Sequence, residues 1–321
     1  MTARANSILI ATICNTIKEA SPFALWISDG ANRYVADLSG HVRGGGGFTG
    51  LAYNDNRLYL AVQANEPCIL VLDMALNVIA TISDDRFRDL HSLHAAGSAL
   101  YIASPGNGAI FRHDLATGQT SVEADFGREP WVAGVHAMAD DVWICCHNLH
   151  FIDPAARGGG VYSVRERRTI VDGLGKPHSL IAYRDGWVVL DSIGSRVVYF
   201  DRQGIGKILS LDGWLRGAAI GHDGKLIVAS GPHRLVSRKN PDGAAARGMR
   251  DFAGERLLFH ELDGGNPTRS YLPEVPGFEI YDLLVLPNEA TLTPAADRIV
   301  PVRRGMFARM YYAALMSALA G

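Results

Sequence analysis

The chain has 321 residues, 48 % of them hydrophobic and 20 % charged, with 31 Lys and Arg against 33 Asp and Glu. This composition excludes a disordered chain, and the near balance of charge argues against the concentrated basic face that nucleic-acid phosphates need. No apolar run reaches the ~20 residues that cross a bilayer, and the interrupted apolar stretch near the N-terminus is too short for an export signal. Four cysteines with no CxxC pair point to a reduced, cytoplasmic protein.

In chain order, the first strand-like runs are SILIATI (7–13) and NRYVADL (32–38), which stand apart from any repeat. A repeat then begins. GFTGLAY (47–53), DLHSLHA (89–95), WVAGVHA (131–137), KPHSLIA (176–182), WLRGAAI (214–220) and EIYDLLV (279–285) share one pattern around a central small residue: Gly50, Ser92, Gly134, Ser179, Gly217 and, in the last copy, Asp282. The spacings are 42, 42, 45, 38 and 65 residues, close to the ~40–45 of a four-stranded propeller blade. Second runs follow five copies, such as RLYLAV (57–62) and KLIVAS (225–230); third runs such as CILVLD (68–73), AIFRHD (109–114) and RVVYFD (196–201) end in Asp; fourth runs include NVIATIS (77–83) and GKILSL (206–211). Short β-branched runs bounded by Gly, Asn and Asp are strands.

The sixth copy lacks a second run, and the two N-terminal runs lack a repeat, so the ends meet in one blade and close the ring. Closure removes the exposed sheet edges that invite aggregation. The expected fold is an all-β, six-bladed β-propeller over 1–290, with a C-terminal extension over 291–321. Within the propeller, 231–256 is a long excursion with six Lys and Arg, read as a lid for an anionic substrate or as a disordered surface loop. In the extension, MFARMYYAALMSALA (306–320) reads as a helix whose apolar-aromatic surface is flanked by Arg303, Arg304 and Arg309, expected to pack on the propeller or on a second copy of the chain, with membrane-surface contact as the alternative.

Topology gathers distant residues at the mouth where the innermost strands begin. Three positions before the small residue stand Gly47, Asp89, Trp131, Lys176, Trp214 and Glu279; one before it stand Thr49, His91, Ala133, His178, Arg216 and Tyr281. The position after it is apolar in every copy and reads as a plug below a polar rim. His94 and His136 read as core, the vicinal Cys145 and Cys146 as a buried strand end, and HNLHFIDPAARGGG (147–160) as loop or partly strand. RGGGGFTG (43–50) lacks the Lys-Ser/Thr ending of a phosphate loop and reads as a turn.

The segments KPHSLIAYRDGWVVLDSIGSRVVYFD (176–201), WLRGAAIG (214–221) and FEIYDLLVLP (278–287) resemble a bacterial family of uncharacterised six-bladed propellers carrying Pro-His-Ser, Leu-Arg-Gly and Glu-Ile-Tyr-Asp elements in this order. That resemblance implies a fold and no activity. More distantly the architecture is similar to the gluconolactonase and strictosidine-synthase propellers. The inner-strand Asn ligands of a gluconolactonase calcium site are replaced here by His91, His178 and Arg216, and only Glu279 matches a strictosidine-synthase pocket glutamate.

At such a mouth, His91 and His178 with Glu279 form a two-His-one-carboxylate set if a divalent metal ion is present. Without metal, His91, His178, Glu279 and Tyr281 supply acid–base catalysis, because imidazole titrates near neutral pH. Arg216 anchors an anion through its fork; Asp89, Trp131, Lys176, Trp214 and Asp282 complete a substrate-binding set. The expected function is an enzyme of hydrolase, lyase or isomerase type acting on a small polar or anionic molecule. The alternative is a non-catalytic propeller binding a glycan or a protein through the same face.

Overall fold

Six copies of one strand pattern fold into six blades around an axis. A computed structural model describes residues 7–14, 24–42, 45–231, 258–271, 279–295 and 297–301. The helix expected over 306–320 and the lid, but for its first residue Gly231, lie outside the described residues. Among the described residues there is no α-helix, only two 3₁₀ turns.

Blade 6 joins the chain ends: β1 (Leu9–Cys14), β2 (Ala24–Ser28) and β3 (Arg33–Asp37) follow one another outward from β24 (Glu279–Val285), which pairs antiparallel with β1. Blade 1 holds β4 (Gly45–Asn54), β5 (Arg57–Ala64), β6 (Cys68–Leu72) and β7 (Val78–Ser83). Blade 2 holds β8 (Ser92–Ala96) through β9 (Ala99–Ser104) and β10 (Ala109–Asp114) to β11 (Thr120–Asp125). Blade 3 holds β12 (Val132–Ala137), β13 (Val142–Cys146), β14 (Gly159–Ser163) and β15 (Arg168–Leu174). Blade 4 runs from β16 (Pro177–Tyr183) through β17 (Gly186–Asp191) and β18 (Arg196–Asp201) to β19 (Gly204–Ser210). Blade 5 holds β20 (Trp214–Ile220), β21 (Leu226–Gly231), β22 (Leu258–Asp263) and β23 (Asn266–Tyr271). A fifth strand, β25 (Ile299–Pro301), covers the outer edge of blade 6 by pairing with β3, which protects an otherwise open edge.

The Asp that ends many third strands closes the next turn. Asp73 accepts N–H groups of Ala75 and Asn77, Asp114 those of Ala116 and Thr117, and Asp201 those of Gln203 and Gly204. A short carboxylate bonding its own backbone two to four residues on fixes a tight turn. The stretch 147–160 departs from the expected strand: Leu149–Phe151 is a 3₁₀ turn, and the third strand of blade 3 is Gly159–Ser163.

The hydrophobic core is divided among the blade interfaces. Each of six clusters joins two neighbouring blades, as Tyr59, Ala61 and Ile69 of blade 1 do with Leu93, Leu100 and Phe111 of blade 2. The residues after the small positions, Leu51, Leu93, Val135, Leu180, Ala218 and Leu283, enter six different clusters. They fill the seams between blades and at the same time line the axial cavity below the polar positions.

The small residues themselves touch the neighbouring blade. A Cβ on Gly50 would lie 3.0 Å from the His91 carbonyl oxygen and the Leu93 nitrogen, and one on Gly217 would lie 2.9 Å from the Leu283 side chain. Polar residues nearby bond across the same seams: Thr49 donates to Leu90 O at 2.6 Å, and Ser179 donates to Arg216 O. At the closure between blades 6 and 1, Asp282 takes the Leu51 N–H at 3.0 Å on one oxygen and its neighbour's, Leu283, at 3.0 Å on the other.

Candidate functional site

Inner strands carry a recurring irregularity that builds the site. In β4, β12, β16, β20 and β24 the pairing register slips by one residue beside the small position, as where Phe48 pairs Val62 but Gly50 pairs Ala61. Such a bulge re-aims the extra residue and interrupts strict alternation. Consecutive residues therefore reach the axis in β16 and β24, His178 with Ser179 and Tyr281 with Asp282, and Thr49, His91, Ser92 and Ala133 line it beside them. The cavity they enclose is about 350 Å³ and touches all six inner strands.

A second regularity lies three residues before the small position. Gly47, Asp89, Trp131 and Lys176 all have left-handed backbones, with φ of 112°, 56°, 53° and 53°. Glycine adopts this region freely, whereas a side chain there costs of order 1 kcal/mol or more. Three of four blades bear that cost with an acid, an indole and an amine at the mouth.

His178 is 3 % exposed. Its Nδ1 lies 2.9 Å from the Lys176 carbonyl and 2.8 Å from the Ser192 hydroxyl, which itself donates to Leu215 O at 2.6 Å. A carbonyl only accepts, so Nδ1 carries the proton and the neutral ring leaves Nε2 with a lone pair; this tautomer is assigned from the hydrogen-bond network. Nε2 is buried and takes no hydrogen bond from the described residues. Burial holds the His178 imidazole well below the usual histidine range, reinforced by the positive charges of Arg216, His147 and His91, against a smaller opposite pull from Lys176 O.

Around it lies an aromatic and cationic cluster. The Tyr281 hydroxyl is 2.7 Å from His91 Nδ1, and its ring stands edge-on to both His91 and His178. Asp89 Oδ1 lies 3.6 Å from His91 Nε2 and accepts from Gln63. The Arg216 guanidinium, on a residue 6 % exposed, stacks 4.1 Å over the Tyr281 ring. It also lies 5.7 Å from the Trp214 ring centre, with Lys176 Nζ 5.9 Å from the same ring. Trp131 stands edge-on to His91 and beside His147, which in turn contacts His178.

His91, His178, Tyr281, Asp89, Trp131, Lys176, Trp214 and Arg216 thus converge. Asp282 lines the same cavity one tier below, its carboxyl bound to two backbone N–H groups and pushed up to about 7 by burial, which outweighs those donors. Glu279 begins β24, but its side chain lies outside the described residues. Among the described residues no three His, Cys, Asp or Glu side chains converge as a metal-ligand set. Cys145 and Cys146 are buried and free, and burial pushes both thiols up, Cys146 to about 12; these are inert thiols.

Sequence reasoning missed four participants. Gln63 and His147 come from second strands or their ends and reach the mouth only through topology. His94 and His136, read as core, line the lower cavity, because positions two beyond a small residue share its face.

No protein-family model matches the chain, and no curated protein matches it. Solved structures do. A chain from the crystal structure of a nidogen/laminin complex aligns with a TM-score of 0.55 at 10 % identity, covering 87 % of this chain and 98 % of that one. A streptogramin B lyase structure aligns with a TM-score of 0.50 at 12 % identity, covering 85 % and 76 %. Together with the six blades described above, these place the chain in the class of β-propellers. Of the resemblance drawn from the Pro-His-Ser, Leu-Arg-Gly and Glu-Ile-Tyr-Asp elements, the propeller stands and no sequence family is matched.

Proposed function

We propose that the protein is an acid–base enzyme acting on a small anionic molecule at the axial mouth, by hydrolase, lyase or isomerase chemistry. One observation carries this reading: a buried imidazole, His178, at the wall of a cavity, whose donor nitrogen is tied to backbone and whose Nε2 lone pair takes no hydrogen bond from the described residues. A buried polar atom without a hydrogen bond needs an explanation, and a substrate hydrogen supplies one.

In this reading His178 Nε2 accepts a proton from the substrate. Tyr281 donates one to the leaving or developing oxygen and recovers it through His91, which Asp89 orients. Arg216 and Lys176 favour an anionic group on the substrate. An anion beside Arg216 offsets the guanidinium charge that depresses His178, so binding strengthens the base at the moment it is needed. The likeness to a lyase at 12 % identity bears on fold, so the chemistry rests on these residues alone. A metal-assisted variant would hold its ion with His91, His178 and Glu279, and metal analysis of the protein purified without a His tag tests it.

The decisive screen follows small carboxylate esters, lactones and hydroxy acids by NMR with the full chain. One class should be turned over, and His178→Asn should lower kcat/KM by about 10²–10⁴-fold while binding changes little. Binding without turnover, unchanged in His178→Asn, would leave a propeller that only binds.

A further inference from the structure

The lower tier of the axial cavity contains a second histidine pair outside the acid–base cluster. His94 of β8 and His136 of β12 occupy equivalent positions in adjacent blades, their ring centres 4.3 Å apart and tilted by 54°. The rest of that tier is small or apolar: Ala52, Ile181, Ala219 and Leu284. His94 bonds the Ala137 backbone, which makes its bonded nitrogen a donor to a carbonyl and its other nitrogen an acceptor while neutral. His136 Nδ1 is buried and takes no hydrogen bond from the described residues. Burial holds both rings below the usual histidine range, His136 down to about 3 with help from its neighbour's charge. Two neutral imidazoles thus present acceptors, in apolar surroundings, three residues along the strand from His91. At a strand rise of about 3.3 Å per residue the two tiers are ~10 Å apart.

Resting on the site reading above, we propose that the cavity takes an elongated monoanion. Its carboxylate sits at the end walled by His91, His178 and Tyr281, toward the Arg216 guanidinium stacked on Tyr281, an aliphatic stretch follows the axis, and a terminal hydroxyl donates to the His94–His136 pair. The polar mouth selects the charged head, the apolar tier accepts methylenes, and the pair selects a donor over an acceptor or a methyl group. His94 and His136 are then specificity residues for length and for the far end of the ligand.

Titration calorimetry of the full chain with octanoate and 8-hydroxyoctanoate tests this, since about eight carbons match the ~10 Å span. The hydroxy acid should bind at least about tenfold tighter than octanoate, as expected when a buried acceptor gains its donor. 4-Hydroxybutanoate should show no such advantage over butanoate. His94→Leu and His136→Leu should erase the hydroxyl preference while octanoate still binds, and the chain-length contrast in the unmodified protein stands even if a variant fails to fold. Equal binding of octanoate and its hydroxy derivative, or a preference that both variants retain, overturns the inference and leaves the mouth reading intact. Failure of every acid to bind overturns both.

Discussion

Asp89, Trp131 and Lys176 occupy left-handed backbone positions where blade 1 uses Gly47. If only the turn mattered, glycine would serve in all four blades. Lys176→Gly should therefore leave stability within about 1 kcal/mol of the original, or raise it, while weakening binding of an anionic ligand severalfold; urea unfolding and calorimetry on the same variant check both halves. Loss of stability with unchanged binding would make the position structural. His178 yields a pH expectation of definite sign. Its imidazole is depressed in the folded state, so it remains a proton acceptor well below pH ~6.5. The acid limb of kcat/KM should lie below that value, and a limb at or above it would contradict the assignment of His178 as base.

Along the inner strands, the small residue and the bulge beside it are what let six strands meet. A Cβ on Gly134 would lie 2.6 Å from Cys145 Sγ, whereas one on Gly40 would meet nothing within 4 Å. Gly134→Ala should destabilise by about 1–3 kcal/mol, with Gly40→Ala as the contrast close to neutral, both read by urea unfolding. Asp282→Ala should cost about 1–3 kcal/mol for each of the Leu51 and Leu283 N–H groups left unpaired. The sequence made this layer only half legible. The small positions and the mouth residues followed from the repeat, since both depend on chain spacing. The slip in register did not, because a bulge is a relation between two strands; His94 and His136 read as core because they lie deeper along their strands than the mouth positions. Ala24–Ser28 escaped notice because it matches no repeated copy, although it is the second strand outward from the axis-side β24.

Across the whole ring, closure without a covalent link makes stability sensitive to charge at the axis. His94, His136 and His178 are all depressed, so the unfolded chain binds more protons below pH ~6.5, and stability should fall as pH drops through that window. Asp282 acts in the opposite sense. Its carboxyl rises from 3.8 to about 7 in the fold, so the stability it contributes is present in acid and is lost as pH rises through about 7. Urea unfolding between about pH 4.5 and 8.5 should therefore show stability rising from acid to a plateau near neutrality, because three depressed histidines outweigh one raised carboxyl. His136→Leu should flatten that rise and Asp282→Asn should steepen it; a profile unaltered by both would remove these groups from the balance. Ring closure itself was readable from two unmatched N-terminal runs and a sixth copy lacking its partner, because an incomplete blade at each end has one economical solution. The chemistry at the centre depends on tautomers and partners, which no spacing encodes.

The most direct test is ¹⁵N NMR of the His178 side chain across pH, with and without 8-hydroxyoctanoate. The account predicts a proton fixed on Nδ1, a bare Nε2 persisting well below pH ~6.5, and an upward shift of its titration when the anion binds. A proton on Nε2, or a titration near 6.5 that the anion leaves unmoved, would contradict it.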